Sequence, residues 1–300
     1  MSRIQDILSK AERDGNTRRT RGLSEDGVMA PPGGLGARAP QTSYEPAGAT
    51  PPAAHTWTPA VTATAIEPEQ VVSGTELDPH LVAALAPQSL AAEQYRSLRT
   101  RIKRAESGRA IRTIVITSPN KGDGKSLTAA NLALTMAQEF QQRVLLIDGD
   151  LRRPAVHQLF GVADRPGLTD VLMGGVELNQ ALVNVEHHHL TLLPAGAIPS
   201  HPAELLGSAA MRRVLDTLRT RFDRILIDMP PVAPLADLHI LAPMADGLLM
   251  IVRAGVTPRP AIERALAGLD TAKVLGLVLN ESGGNVADTT TYHDYGYVAG

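Results

Sequence analysis

The chain has 300 residues, a formal net charge of −2 and a hydrophobic fraction of 43%, which is enough for a large domain with a buried core. It contains no cysteine, so disulfides, cysteine nucleophiles and the common zinc sites are excluded. No stretch reaches the ~18 consecutive apolar residues of a membrane span, and the first residues lack the apolar core of a secretory signal. We therefore expect a cytoplasmic protein, and the small negative charge argues against one that coats nucleic acid.

The first 78 residues are predicted to lie outside the folded domain. Residues 1–15 have the apolar spacing of a short amphipathic helix, whereas residues 16–78 are rich in proline, glycine, alanine and threonine without a periodic pattern. Such a segment buries too little surface to offset the entropy of ordering it, so we predict a disordered extension. Tyr44 and Trp57 lie within it, either as solvated side chains or as anchors for a partner.

Residues 79–280 have the pattern of an α/β domain. A helix is predicted from Ser89 to Ala105, and short apolar runs then alternate with helical stretches. The runs are continuously apolar, as in strands covered on both faces, so the expected fold is a doubly wound, mainly parallel sheet. The predicted strands are Thr113–Thr117, Val144–Ile147, Leu190–Leu193, Arg224–Ile227, Gly247–Val252 and Val274–Leu279.

A glycine-containing loop with a Lys-Ser pair is the strongest signal in the sequence. It lies between a predicted strand and a predicted helix, Leu127 to Phe140, which is the context of a phosphate-binding loop. Gly122 and Gly124 allow successive N–H groups to face phosphate oxygens, and the helix N-terminus adds the positive end of its dipole. The loop reads Thr117-Ser118-Pro119-Asn120-Lys121-Gly122-Asp123-Gly124-Lys125-Ser126.

This loop predicts a P-loop NTPase that binds ATP and Mg²⁺. Lys125 would reach the β- and γ-phosphates, and the Ser126 hydroxyl would hold Mg²⁺. Pro119 replaces the usual first glycine, so the motif is of the deviant Walker type. Arg253 and Asn280, each just past a strand, are predicted to contact the nucleotide base. The full predicted set for the nucleotide is Gly122, Asp123, Gly124, Lys125, Ser126, Leu127, Arg253 and Asn280.

Three aspartates follow buried strands of the predicted sheet. Asp148 and Asp150 come after one strand, and Asp228 ends another. Ligands of open parallel sheets bind beyond the carboxyl ends of the strands, so these side chains should face the phosphate loop. Without a cation they would repel one another, and a Mg²⁺ ion with oxygen ligands would resolve this. We therefore predict Ser126, Asp148 and Asp228 as metal ligands.

The sequence resembles the bacterial tyrosine kinases, the P-loop kinases of capsule and exopolysaccharide synthesis. The resemblance covers about residues 85–300. The first motif that supports it is Asp-x-Asp-x-Arg, from Asp148 to Arg152. Glu93, Arg96 and Arg99 match the family's Glu-x-x-Arg-x-x-Arg oligomerisation motif. Further matches are Leu151–Pro154, Leu159–Gly161, Pro166–Leu172 and Pro202–Leu206, together with the C-terminal tyrosines Tyr292, Tyr295 and Tyr297.

The resemblance implies an ATP-dependent tyrosine autokinase of the stand-alone type. The γ-phosphoryl group would pass to the tyrosines of a flexible tail, residues 281–300, in trans within a ring-like homo-oligomer. The implied activator is a separate membrane protein that recruits the chain to the inner face of the membrane. A tyrosine hydroxyl has a pKa near ~10 and needs a carboxylate to accept its proton. The predicted catalytic residues are Lys125, Asp148 and Asp150, with Asp148 the leading candidate for base or metal carboxylate.

Other classes of protein remain open at this point. A positioning or partitioning ATPase would act as a switch without kinase activity, but its signature lysine, five residues before the P-loop lysine, is replaced here by Asn120. A nonenzymatic ATP-binding regulator is a third class. The basic residues Arg96, Arg99, Arg101, Lys103 and Arg104 indicate a subunit interface, a solvated helix face or a DNA-binding patch. His187-His188-His189 forms either a metal-binding group or an ordinary loop.

Overall fold

The computed structural model describes residues 70–72, 77–106, 108–139, 142–232, 237–267, 269–270 and 273–281. Several predictions lie outside these residues. They are the N-terminal amphipathic helix, the disorder of residues 1–69, the two aromatic residues Tyr44 and Trp57, and the tail with its three tyrosines Tyr292, Tyr295 and Tyr297. Within the described part, no helix is both long enough and apolar enough to cross a membrane.

An eight-stranded sheet forms the centre of the domain, in the order β1-β4-β5-β3-β6-β2-β7-β8. Strands β4 and β5 pair antiparallel, and every other neighbouring pair is parallel. The strands are β1 Gln70–Val72, β2 Thr113–Thr117, β3 Val144–Asp148, β4 Val183–Val185, β5 Leu190–Leu193, β6 Arg224–Asp228, β7 Gly247–Arg253 and β8 Val274–Asn280.

Helices connect the parallel strands. They are α1 Val82–Leu85, α2 Leu90–Ala105, α3 Lys125–Ala137, α4 Val156–Leu159, α5 Leu168–Leu172, α6 Leu178–Ala181, α7 Pro202–Leu206, α8 Ala209–Arg221, α9 Asp237–Leu241 and α10 Arg259–Ala267, and a 3-10 turn follows α9 at Ala242–Met244. The two long amphipathic helices begin at serine caps. Ser89 Oγ accepts the Ala92 N–H at the start of α2, and Ser208 Oγ accepts the Met211 N–H at the start of α8.

Two hydrophobic cores cover the two faces of the sheet. Alternate residues of each strand face opposite sides, so Val115 of β2 joins one core while Ile114 and Ile116 join the other. The first core is closed by α8, and the second by α3, whose residues from Thr128 to Ala137 are all buried. Alanines along α3 let this helix lie close to the sheet. The predicted doubly wound α/β fold is confirmed.

The structure adds two short strands to the six that the sequence predicts. β1 lies within residues 1–78, the extension predicted to be disordered, and β4 precedes the histidine triplet. Each has three residues, too few to show a hydrophobic period. The helix predicted over Leu127 to Phe140 instead begins at Lys125 and ends at Ala137. It begins earlier because the last residues of the phosphate loop form its first turn, where the Thr128 N–H donates to the Gly124 carbonyl.

The register of the sheet brings its acidic strand ends together. Asp148 of β3 is directly opposite Asp228 of β6, and Asp228 is also opposite Ile116 of β2. β2 ends at the next residue, Thr117, where the phosphate loop begins. The loop and two of the three aspartates therefore lie side by side at the carboxyl edge of the sheet, where open α/β sheets bind ligands.

Candidate active site

The phosphate loop adopts a conformation that requires its glycines. Gly122 and Gly124 have φ angles of +85° and +90°, in the left-handed region that side chains disfavour. At Gly124 a close contact adds to this constraint, since a Cβ atom there would lie 2.0 Å from the Asn280 amide nitrogen. The loop is also tied to the chain after β6, because the Val232 N–H donates to the Ser118 carbonyl at 2.8 Å.

Lys125 lies at the centre of the candidate site. Its Nζ is 3.1 Å from Asp150 Oδ2, 3.3 Å from Asp228 Oδ1 and 3.1 Å from Ser126 Oγ. Lysine and serine are the first two residues of α3, and both carboxylates come from strand ends, so three elements meet at one ammonium group. Only 12% of the Lys125 side chain is exposed. The predicted lysine, serine and aspartates therefore form a single cluster.

The three aspartates of the cluster have different surroundings. Asp148 accepts N–H groups at both oxygens, from Ala155 and Val156 at 2.9 Å each and from Asp150 at 3.2 Å. Through these bonds it fixes the turn into α4. Asp150 Oδ2 contacts Lys125, and its other oxygen accepts the Arg153 N–H. Asp148 therefore orders the backbone, while Asp150 and Asp228 bind the ammonium group.

Burial dominates the electrostatics of the cluster. It raises the pKa of Asp148 to about 7, and the neighbouring charge of Asp228 acts in the same direction. Burial likewise raises the pKa of Asp228. For Lys125, burial alone would lower the pKa, but the charges of Asp228 and Asp150 outweigh it and hold the pKa above its usual value. Three buried carboxyl groups thus lie around one ammonium group, which contacts two of them.

This composition suits a divalent cation together with a polyanionic ligand. Ser126 Oγ and the carboxylate of Asp228 are neighbours, and hydroxyl and carboxylate oxygens are the ligands that Mg²⁺ prefers. Among the described residues, no three His, Asp or Glu side chains are arranged to hold an ion by themselves. Mg²⁺ would therefore complete its coordination with phosphate oxygens and water, as it does in many nucleotide sites.

The two residues predicted to contact the base lie near the loop but have partners within the chain. Asn280 Nδ2 donates to the Asp123 carbonyl at 3.1 Å and packs against Gly124. Arg253 Nε donates to Glu281 at 2.7 Å, and the two side chains form an ion pair at 2.6 Å. A role of Arg253 and Asn280 at the base stays a prediction.

One residue of this region was not anticipated from the sequence. Thr257, in the loop between β7 and α10, donates its hydroxyl to Asp123 Oδ1 at 2.8 Å. No motif marks it, because the contact joins residues that are 134 positions apart. Leu127, by contrast, lies where the loop predicts, in the first turn of α3, and is partly buried against the core on that side of the sheet.

Two further candidate sites from the sequence are the histidine triplet and the basic residues of α2. His187-His188-His189 lies in the turn of the antiparallel hairpin between β4 and β5, where His187 and His189 have positive φ angles. In the described part of the chain, these histidines do not belong to any group of three side chains that could hold a metal ion. The basic helix α2 is partly paired: Lys103 forms an ion pair with Glu139, and Arg99 donates to the Thr135 carbonyl.

The oligomerisation motif lies on α2. Arg96 forms an ion pair with Glu93 at 2.7 Å and also donates to the Pro87 carbonyl, so both residues are held on one exposed stripe. Arg99 differs, because its 2.7 Å bond to Thr135 joins α2 to α3. Arg99 therefore stabilises the fold in addition to any role at an interface.

The parallel sheet, the phosphate loop and its lysine–carboxylate cluster define a P-loop nucleotide-binding protein. The family model described as "AAA domain" matches residues 111–269. The tyrosine-protein kinase YwqD of Bacillus subtilis is 38% identical over 226 residues, covering 75% of this chain and 93% of YwqD. The kinase domain of Escherichia coli tyrosine kinase ETK superposes with a TM-score of 0.65 at 29% identity, over 70% of this chain and 82% of that domain.

A longer relative is also matched. The succinoglycan biosynthesis transport protein ExoP of Rhizobium meliloti is 36% identical over 203 residues, which cover 66% of this chain but only 26% of ExoP. The chain belongs to the bacterial tyrosine kinases. This confirms the prediction from the sequence motifs and favours a kinase over the positioning ATPase.

Proposed function

We propose that this tyrosine kinase transfers the γ-phosphoryl group of Mg-ATP to Tyr292, Tyr295 and Tyr297 of a neighbouring copy, and thereby regulates the synthesis or export of a polysaccharide. One observation carries the proposal: the Lys125 ammonium group lies within 3.1–3.3 Å of Asp150, Asp228 and Ser126 at the start of α3. A cation, a hydroxyl group and carboxylates, the groups that phosphoryl transfer uses, thus lie together at a phosphate loop.

The residues of the cluster have separate roles in this proposal. Lys125 leaves the carboxylates and stabilises the charge on the transferred phosphoryl group. Ser126 and Asp228 would hold Mg²⁺, which would neutralise negative charge on the phosphates. We assign the phenolic proton to Asp150 instead of Asp148, the leading candidate from the sequence, because Asp150 is slightly more exposed and both oxygens of Asp148 accept backbone N–H groups. Asp148 orders the loop around Asp150.

The proposed partners are other copies of the chain and a separate membrane protein. Self-association is assigned to Glu93 and Arg96, which share the exposed stripe of α2, with Arg99 adjoining it. The name of ExoP, a succinoglycan biosynthesis transport protein, supports a role in polysaccharide export and a site of action at the membrane. We propose no nucleic-acid partner, since Arg96, Arg99 and Lys103 have acceptors within the chain.

A mixing experiment tests whether the protein phosphorylates tyrosines and whether the transfer occurs between copies or within one copy. Lys125→Met removes the ammonium group but keeps the tyrosines, whereas a Tyr292/Tyr295/Tyr297→Phe variant keeps the site but removes the acceptors. Neither variant alone is expected to gain phosphotyrosine with ATP and Mg²⁺. Mixed together, they should yield phosphotyrosine on the Lys125→Met copies, as mapped by mass spectrometry.

The matched control is Lys103→Met, which removes a lysine paired with Glu139 on α2, away from the phosphate loop. It should retain phosphotyrosine formation. If the mixture gains none while the wild type does, transfer occurs in cis. If the wild type hydrolyses ATP without forming phosphotyrosine, the autokinase proposal is wrong and the ATP-dependent switch is favoured.

A further inference from the structure

Asp123 lies in the middle of the phosphate loop, yet its carboxylate is committed to contacts within the protein. The residue is only 2% exposed. Its Oδ2 accepts the Asn120 N–H at 2.9 Å, and its Oδ1 accepts the Thr257 hydroxyl at 2.8 Å. A free carboxylate would repel bound phosphates at this position. Here both oxygens instead bind donors, one inside the loop and one outside it.

Thr257 is the donor outside the loop, and its hydroxyl is itself fixed. Thr257 Oγ1 accepts the Arg253 N–H at 2.9 Å, at the last residue of β7. The hydroxyl hydrogen is thereby left to donate to Asp123. A continuous chain of hydrogen bonds thus runs from the end of β7 through Thr257 and Asp123 to the Asn120 N–H. On its other side the loop is held by Asn280, which donates to the Asp123 carbonyl.

We infer that Thr257 is a positioning residue that holds the phosphate loop ready for its ligand. Hydrogen bonds to a carboxylate are stronger than those between neutral groups, so the bond to Asp123 is suited to this task. A loop that is ordered before binding loses less conformational entropy when phosphate oxygens reach its N–H groups. The inference rests on the proposed function only in naming Mg-ATP as the ligand.

The order of the loop is tested first, in the ligand-free protein. Thr257→Val removes the hydroxyl at nearly constant volume, and Thr257→Ser retains it. We expect hydrogen exchange of the Asn120 N–H to accelerate roughly tenfold or more in Thr257→Val, because local opening becomes easier, and to stay near the wild-type rate in Thr257→Ser. The control is Thr217→Val on α8, which removes a hydroxyl that donates to the Arg213 carbonyl. Equal exchange in Thr257→Val and wild type would refute the inference.

Binding of Mg-ATP is tested next by calorimetry. Thr257→Val should weaken the affinity about tenfold, with recovery to within about twofold in Thr257→Ser and no change in Thr217→Val. In an Asp123→Ala background, which removes both acceptor oxygens, the Thr257→Val substitution should have little further effect, since the two residues act as one unit. Fully additive losses would show that Thr257 does not act through Asp123. If exchange accelerates as expected but the wild type binds no ATP, the proposed function fails while the positioning role stands.

Discussion

Replacing Asp228 with asparagine is expected to flatten the pH dependence of the free energy of unfolding. Asp148 and Asp228 are directly opposite each other on β3 and β6, and neither is exposed. Burial, and then the charge of Asp228, raises the pKa of Asp148 from 3.8 to about 7. The folded protein therefore keeps a proton on Asp148 over a range of pH in which the unfolded chain has lost it.

The sign and size of the effect follow from proton linkage. A carboxyl group whose pKa is raised by folding stabilises the folded state most at low pH, and this stabilisation is lost as pH rises through the folded-state pKa. Each pH unit across that window corresponds to about 1.4 kcal/mol. Asp148 alone should thus lower the free energy of unfolding by roughly 4 kcal/mol between its unfolded and folded pKa values. With asparagine at position 228, the pKa of Asp148 falls, so the free energy of unfolding decreases less as the pH rises.

Urea unfolding at a series of pH values between about 5 and 8 measures this slope. The stability of Asp228→Asn relative to wild type should rise steadily from the acid end of the series to the alkaline end. The matched control is Asp164→Asn, at an exposed loop position, which should follow the wild-type curve. A wild-type stability that does not fall over this range, or identical slopes for wild type and Asp228→Asn, would refute the electrostatic account of the cluster.

Four further substitutions test other contacts. Gly124→Ala places a Cβ atom 2.0 Å from the Asn280 amide at a φ of +90°, so calorimetry should detect no ATP binding. Asn131→Ala leaves the buried Ala83 N–H without its acceptor and removes one donor from each of the His80 and Leu127 carbonyls, so it should cost roughly 2–3 kcal/mol in urea unfolding. Arg96→Ala should reduce the mass of the assembly in light scattering and lower the melting temperature only slightly, because its contacts to Glu93 and Pro87 are exposed. Arg99→Ala should also lower the melting temperature, since it loses the bond from α2 to α3.

The sequence predicts those parts of the molecule that depend on neighbours along the chain. Strand β3 and its aspartates are visible because a continuously apolar run ends in two carboxylates. The phosphate loop is visible because its glycines, lysine and serine are consecutive. Topology then requires Lys125, Asp148 and Asp228 to meet, since the ends of parallel strands share one edge of the sheet.

The unpredicted parts depend on contacts between distant segments. Thr257 looks like an ordinary loop threonine until the fold brings it to Asp123. The bond from Arg99 to Thr135 is equally hidden, because a helical arginine stripe does not reveal which of its members face another helix. The strand Gln70–Val72 forms by pairing with β4 and has too few residues to carry a pattern of its own.

The crowding of carboxyl groups around Lys125 has a consequence for ligand capture. A cation bound at Asp228 would lower the pKa of the neighbouring Asp148, so binding of Mg²⁺ with ATP would release the proton that Asp148 holds near neutral pH. A rise in pH would then increase the affinity for Mg-ATP and lower the free energy of unfolding of the ligand-free protein. Near neutral pH, the stability of the ligand-free protein and its affinity for the ligand therefore change in opposite directions. Both depend on the same four side chains, Lys125, Asp148, Asp150 and Asp228.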